Sequence, residues 1–587
     1  MSFEYKASGN ALDVKSLRRV FSLVANYRGT VFISVLLTIA MSILGPSIPY
    51  FLQQSIDGPI KARNINGLYQ SIGLILFMLF SQGMVSYAQS YYTEWLGQQA
   101  IYKLRIKTFN HILKMRLSIF DRTPIGTMIT RVVSDVETVA DIFSEGLIAI
   151  AGDMLQIIVI LTYMFIIDWK LTLICLSVFP ILLLSAWIFK ETVKKSFQEV
   201  RTQVSKLNAF LQEHITGMYI VQTFNRQNIE FERFTVINKK YRDANIKSIL
   251  AYSIFFPVIE VLSAISIALI VWGGIGGVLQ GRVTIGILIA FISYINLLFR
   301  PIRQVADKFN TLQMGMVASE RIFQVLDMEA SLPNTGTIAD DIKGKIEFRN
   351  VWFAYADDKW ILKDISFTIL PGQTIAIVGH TGAGKTSITG LVNRLYTHQK
   401  GDILIDDQPI ENYDIDALRK QIAVVLQDVF LFSDTINNNL KLYSNKITQN
   451  QIVEAVKLVG ADSFINNLPG KYDYQVQERG ASLSTGQRQL ISFIRAIIQQ
   501  PAILILDEAT SSIDQETENM IQKATEILLR GRTSIAIAHR LSTIREADNI
   551  LVLDKGELVE MGSHDTLISQ KGLYHQLYQL QFTELVL

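Results

Sequence analysis

Apolar positions are gathered into long uncharged stretches in the first half of the chain and into short β-branched runs in the second. No charge lies between Arg28 and Asp57, where the run TVFISVLLTIAMSILGPSIPYFL sits, or between Arg63 and Glu94. Gly146–Ile167 is broken only by Asp153, and Leu171–Phe189 by nothing. Lys247–Arg282 is broken only by Glu260, and Val283–Phe299 adds a sixth stretch of 17 residues. A helix needs about 20 apolar residues to cross hydrocarbon at 1.5 Å per residue. Soluble helices of that length carry a polar face, which these stretches lack. The pattern predicts six transmembrane helices.

Between the second and third stretches, and again between the fourth and fifth, the apolar spacing persists while charge returns. IYKLRIKTFNHILKMRL repeats apolar residues at three and four, so the helices are expected to run on beyond the membrane. Pro and Gly interrupt the pattern at DRTPIG (Asp121–Gly126) and near HITGMY (His214–Tyr219), which marks two turns as contact points for a cytoplasmic domain.

Charge sets the orientation. Tyr91–Gly146 holds Lys103, Arg105, Lys107, Lys114, Arg116, Arg122 and Arg131, and Lys190–Lys247 is richer still, while the alternate connections carry only Lys61, Arg63, Lys170 and Arg282. The positive-inside rule puts both long loops and both termini in the cytoplasm. Composition agrees: 49% of the 587 residues are hydrophobic and 18% charged, with a net charge of +2, which leaves no basic field for nucleic acid. The single cysteine, Cys175, excludes an internal disulfide and cysteine metal clusters, and is expected to be a buried small residue. The N-terminal residues lack the layout of a cleaved signal peptide. Glu260 lies deep in the fifth stretch and should face the bundle interior or a wet cavity, as a substrate contact or an interhelical hydrogen bond. Asp153, near the end of its stretch, reads as interfacial.

After Leu326 the character changes. SLPNTGTIADDIKGK (Ser331–Lys345) reads as a linker, and the residues beyond it alternate β-branched runs with helical patterns, as an α/β domain does. The division is 1–326, 327–343 and 344–587. TIAIV leads into Gly379-His380-Thr381-Gly382-Ala383-Gly384-Lys385-Thr386, with Ser387 next, a P-loop in its strand–loop–helix setting. Glycines let backbone N–H groups turn onto phosphate oxygens, the helix N-terminus adds its dipole, Lys385 brings a charge and Thr386 a hydroxyl for Mg²⁺. AILILDEAT ends an apolar strand in Asp507, suited to Mg²⁺, and Glu508, suited to activating water.

SLSTGQRQLISFIRA resembles the signature motif of ABC ATPases and precedes LILDE at that family's spacing. AVVLQD matches its Q-loop at Gln427, SSID (Ser511–Asp514) its D-loop, IAIAHR its switch histidine at His539, and WFAY its adenine-stacking aromatic at Tyr355. Glu478 and Arg479 precede the signature as they do in exporters. The resemblance covers nearly the whole chain and has the layout of a bacterial half-transporter of the exporter type, closest to the multidrug and lipid branch. It implies an all-α six-helix transmembrane domain followed by an α/β P-loop ATPase domain. It implies ATP and Mg²⁺ as cofactors, with Thr386, Gln427 and Asp507 near the metal and Glu508, His539 and Gln427 in catalysis. Ser484, Gly486 and Gln487 would touch the ATP held by the other subunit, so a second half-transporter, identical or different, is required. The expected activity is ATP-driven export or flipping of a hydrophobic or amphipathic substrate across the inner membrane, with the ATPase domain cytoplasmic. Thr485 replaces the commoner Gly of the signature and Ser512 the frequent Ala of the D-loop, which keeps open a heterodimer with this chain as catalytic half. An ATP-switched regulator or channel is weighed against by the complete hydrolytic set, and a soluble ABC ATPase by the six spans.

Overall fold

The structure is a computed structural model, and it describes residues 14–142, 146, 148–328, 332, 334–339, 341–356, 359–507, 515–537 and 541–582. It divides into two compact units, one of Met1–Leu113 with Thr123–Glu329 and one of Lys114–Arg122 with Ala330–Leu587.

The first unit is helical. Among the described residues six helices are long and apolar enough to span a membrane: Arg18–Ile60, Ile65–Leu113, Ile148–Ile167, Trp169–Thr216, Gln227–Leu279 and Ile285–Ile302. As expected, several outrun the hydrocarbon. Ile65–Leu113, Gln227–Leu279 and Ile285–Asp327 have 49, 53 and 43 residues, roughly 65–80 Å at 1.5 Å per residue, against about 30 Å of hydrocarbon. The fourth stretch is broken near its start. Asp168 caps Trp169–Leu176 by accepting from the N–H groups of Lys170 and Leu171, and the chain resumes helix at Phe179 with Pro180 in its first turn.

Apolar attraction cannot hold spans together in lipid, so small and polar residues do it. On Arg28–Ser55, Ser34, Thr38 and Ser42 recur every four residues and are buried. Ser42 Oγ donates to the Gly152 carbonyl at 3.1 Å, Gln89 Nε2 donates to Thr38 Oγ1 at 3.1 Å, and Ser47 and Tyr163 hydroxyls pair at 3.1 Å. The opposite faces carry exposed Phe32, Phe80, Trp187 and Trp272, a surface for acyl chains rather than water. Asp57 ties the ends of two spans together, accepting from Thr284 Oγ1 at 2.6 Å and from Gly286 N at 3.1 Å.

Three residues of the uncharged stretches take different positions. Cys175 is fully buried, as expected. Asp153, expected near the membrane edge, is paired with Lys308 of the last helix, both side chains being largely buried. Glu260 is exposed on this chain: it does not face the interior of its own bundle, the first of the two expected surroundings, while a wet cavity, the second, is compatible with exposure. Ile259, Leu262, Ser263 and Ser266 turn into the bundle, and the 100° step per residue leaves Glu260 off that face.

The second unit is α/β. Strands β1 (Ile346–Phe353), β2 (Leu362–Ile369), β4 (Lys400–Ile405) and β5 (Gln408–Pro409) form an antiparallel sheet in the order β2-β1-β4-β5. Strands β3 (Thr374–Gly379), β6 (Ile422–Val425), β7 (Ile503–Asp507), β8 (Thr533–Ile537), β9 (Asn549–Asp554) and β10 (Glu557–Gly562) form the order β10-β9-β3-β8-β7-β6. That sheet is parallel from β9 to β6, with β10 antiparallel at its edge. Strand β3 is buried along nearly its whole length because both faces are covered, which is why TIAIV reads as a continuous apolar run. Part of the expected linker belongs to this unit, since Thr337 and Ile338 donate to the Asn412 carbonyl at 3.0 Å each.

Candidate nucleotide site

The P-loop follows β3 at the carboxyl edge of the parallel sheet, where ligands of open α/β sheets sit. Gly384 begins the helix Lys385–Val392 with φ +102°, and a Cβ there would lie 2.6 Å from Leu362 Cδ2. Gly382 has φ +84° with nothing within 4 Å of an added Cβ, so the loop is open on that side. One glycine is required by packing, the other by backbone sign, and together they leave a cradle of N–H groups with room in front of it. Lys385 Nζ lies across this loop, donating to the carbonyls of Gly379 at 2.7 Å and His380 at 3.0 Å. Burial lowers the Lys385 pKa below its ordinary value, against the opposing charge of Asp507.

His380, Thr381 and Thr386 are not fully buried, whereas Ala383 and Ser387 are. The Ser387 hydroxyl hydrogen-bonds the Tyr355 hydroxyl at 3.0 Å. Tyr355 also meets Phe353 and Tyr396 edge-on, at 4.8 and 5.0 Å between centroids, and stays partly exposed beside the P-loop helix. Asp507 ends β7, and Gln427 lies just past the end of β6, which pairs with β7 through Val425 and Leu506. Glu508, Ser511–Asp514 and His539 lie outside the described residues. The strands that lead to Glu508 and His539 end side by side, Asp507 pairing with Ile537.

The signature opens the helix Thr485–Gln499. Ser484 is its N-cap and Gln487 completes a capping box: Gln487 N donates to Ser484 Oγ at 3.2 Å and Ser484 N to Gln487 Oε1 at 2.9 Å. Gly486 is buried, and Thr485 is exposed with its hydroxyl accepting from Arg488 at 3.1 Å. These side chains therefore hold their own helix start in shape while Ser484 and Thr485 face outward.

A group that the motifs alone do not reveal joins the site to the first turn read in the sequence. The helix Leu117–Arg122 belongs to the second unit. Tyr396 O–H donates to Asp121 at 2.8 Å, and Arg122 donates to the Tyr355 carbonyl. Burial, and then the Asp121 hydrogen bond, push the Tyr396 phenol well above its ordinary pKa. Tyr396 sits past the end of the P-loop helix, and no motif flags it. The second turn belongs to the first unit: the helix stops at Gly217, and Tyr219, Ile220 and Phe224 are exposed on a short helix and its end.

A six-span helical unit and a P-loop α/β unit with a capped signature helix define an ATP-dependent membrane transporter. The family model described as the ABC transporter transmembrane region matches residues 31–302, and that described as ABC transporter matches residues 362–511. The chain belongs to the ABC transporter family, as a nucleotide-binding, multi-pass half-transporter of the exporter type that hydrolyses ATP to drive transport. It is 40% identical over 539 residues to a Bacillus subtilis protein named as a probable multidrug resistance ABC transporter ATP-binding/permease protein, covering 90% of this chain and 78% of that one. It is 34% identical over 569 residues to the ATP-dependent lipid A-core flippase of Syntrophus aciditrophicus, covering 97% and 94%. It is 35% identical over 578 residues to the flippase of the same name from Desulfotalea psychrophila, covering 96% and 99%.

Proposed function

We propose that two such half-transporters form a dimer that moves a hydrophobic or amphipathic molecule out of the cytoplasmic leaflet of the cell membrane by alternating access. The observation that carries this reading is the fusion of six spans with an open P-loop cradle in one chain. The names of the relatives, multidrug transporter and lipid A-core flippase, support an apolar or amphipathic cargo. The basic loops support a cytoplasmic ATPase part with both termini inside. The divisions 1–326, 327–343 and 344–587 then separate the translocating part, a connector and the nucleotide part.

In this reading the backbone of Gly379–Gly384 and Lys385 bind the ATP phosphates, with Tyr355 beside the adenine. The residues fit Mg²⁺: Thr386 presents its hydroxyl at the helix start, and Asp507 lies close enough to Lys385 to act on its charge. Among the described residues no cluster of three His, Cys, Asp or Glu competes as a metal site. Thr386, Asp507 and Gln427 would hold the ion, which when bound neutralises phosphate charge. Glu508 orients and deprotonates the attacking water, and His539 and Lys385 stabilise the charge that develops on the γ-phosphate. Ser484 and the Gly486 backbone contact the ATP of the partner subunit. Those contacts exist only when the two ATPase domains are closed, which supplies the differential affinity a conformational shift needs. The turns at Asp121–Gly126 and His214–Tyr219 carry the motion, and the exposed Tyr219 and Phe224 fit docking on the partner's ATPase domain. The cap at Ser484 is complete despite Thr485, which supports a competent signature, as a pair of identical chains would require. Expression of this chain alone tests that point, an inactive monomer indicating a different partner half. The assignment as a whole is tested by Glu508→Gln, for which ATP should stay bound while turnover falls at least about 100-fold. Undiminished turnover would refute it.

A further inference from the structure

A cavity of about 240 Å³ opens in the first unit, and no motif accounts for it. Its walls are helix faces. Lys190, Val193, Lys194, Phe197 and Arg201 recur at the three- and four-residue spacing of one face of Phe179–Thr216. Arg321 comes from Ile285–Asp327, Asp135 from Ser134–Asp141, and Tyr252 from Gln227–Leu279.

Its height relative to the membrane follows from the sequence. Lys190 is the first charge after the uncharged stretch ending at Phe189, and Tyr252 lies five residues inside the stretch that begins after Lys247. The cavity therefore starts where hydrocarbon ends and reaches outward along the cytoplasmic helix to Arg201, about 16 Å at 1.5 Å per residue. Charge within it is one-sided. Lys190, Lys194, Arg201 and Arg321 line it with a single carboxylate, Asp135, among the described lining residues. Asp135 is already opposed, by Arg131 one turn earlier and by Arg321 at 3.7 Å. Glu199 projects away from that face to Lys247, at 3.1 Å. Aromatic rings lead from the cavity back to the membrane: Phe197, between Lys194 and Arg201, has its ring centroid 6.5 Å from that of Tyr252, and the Tyr252 ring lies 5.1 Å from that of Phe189 at the hydrocarbon edge.

We propose that this cavity binds the anionic headgroup of an amphiphile, with Lys194 and Arg201 on the headgroup and the chain leaving past Tyr252 and Phe189 into the bilayer. The volume is below the roughly 300–1,000 Å³ of pockets that enclose a drug-sized ligand, so it suits a headgroup and not a whole lipid. Cations at a membrane surface attract anionic headgroups, and aromatic rings favour the boundary. The inference deepens the export reading and rests on it only for the bound molecule's becoming cargo. Binding itself needs no nucleotide.

The test is equilibrium binding of dihexanoyl phosphatidylglycerol and dihexanoyl phosphatidylcholine to the full-length purified protein without ATP. The wild type should prefer phosphatidylglycerol. Lys194→Gln with Arg201→Gln should weaken that lipid about 25-fold, at about fivefold per cation near an anionic headgroup, and leave phosphatidylcholine unchanged. An unaltered melting temperature establishes that the double variant is folded. Lys247→Gln, at the same level on the other face, should change binding by less than about twofold. Equal binding of the two lipids by the wild type overturns the proposal, as does an equal loss in Lys247→Gln, which would mean diffuse surface charge. Inorganic phosphate that displaces the lipid as well as the lipid itself does also overturns it, in favour of a free-anion site. Preference for phosphatidylglycerol without ATP-driven transport of any amphiphile would leave the site standing and refute the export reading.

Discussion

The phenolic hydroxyl of Tyr396 donates to the Asp121 carboxylate at 2.8 Å, joining positions 275 residues apart in sequence. The same tyrosine meets the ring of Tyr355, whose hydroxyl reaches Ser387 on the P-loop helix. A short chain of hydrogen bonds and one ring contact thus runs from the phosphate-binding helix to Asp121.

Tyr396→Phe should leave ATP affinity within about twofold of wild type. It should lower the transport obtained per ATP about fivefold, the worth of roughly 1 kcal/mol for a typical hydrogen bond open to solvent. Parallel measurement of ATP hydrolysis and substrate flux in proteoliposomes checks this. An unchanged ratio would show that the contact carries no coupling.

Gly384 and Gly382 should respond differently to alanine. At Gly384 the methyl would strike Leu362 at 2.6 Å in addition to the strained φ, so Gly384→Ala should melt earlier and lose nucleotide binding. Gly382→Ala incurs only the backbone strain, about 1–2 kcal/mol, and should keep the fold while weakening nucleotide affinity. Thermal melts and nucleotide titrations on the two variants separate the effects.

Ser484 has a structural role in the helix cap and a proposed role toward ATP, and the two can be separated. Ser484→Ala removes the cap and should cost about 1 kcal/mol. Ser484→Asp keeps a capping oxygen but sets a negative charge toward the phosphate. The aspartate variant should retain the melting temperature and still lose ATPase activity. Full activity in Ser484→Asp would argue that the residue only shapes the helix.

The Asp153–Lys308 pair is largely buried, so its halves should not be independent. Lys308→Met strands a carboxylate and should destabilise the protein by about 3–5 kcal/mol. Adding Asp153→Asn should recover most of that loss in a detergent melt. Additive destabilisation would mean that the two charges do not act as a pair.

The six spans were legible because a crossing helix must be apolar for about 20 residues whatever its neighbours. The P-loop was legible because its chemistry is local: three glycines, a lysine and a threonine within a few residues of chain. What escaped the sequence depends on distant partners. Lys308 neutralises Asp153 from another helix, Asp57 caps a span that starts at Ile285, and Tyr396 finds Asp121 across a long separation. Glu260 could be recognised as costly, but which side of its helix turns inward depends on packing and not on composition. The strand order, with β8 between β3 and β7, likewise has no local signature.

The most direct test is vectorial transport by the purified chain in proteoliposomes, measured with a labelled anionic amphiphile and ATP supplied on the side of the nucleotide domains. The wild type should move the amphiphile away from that side only when ATP is present, and Glu508→Gln should not move it although ATP stays bound. Wild-type movement that proceeds equally without ATP, or that survives in Glu508→Gln, would contradict ATP-driven export.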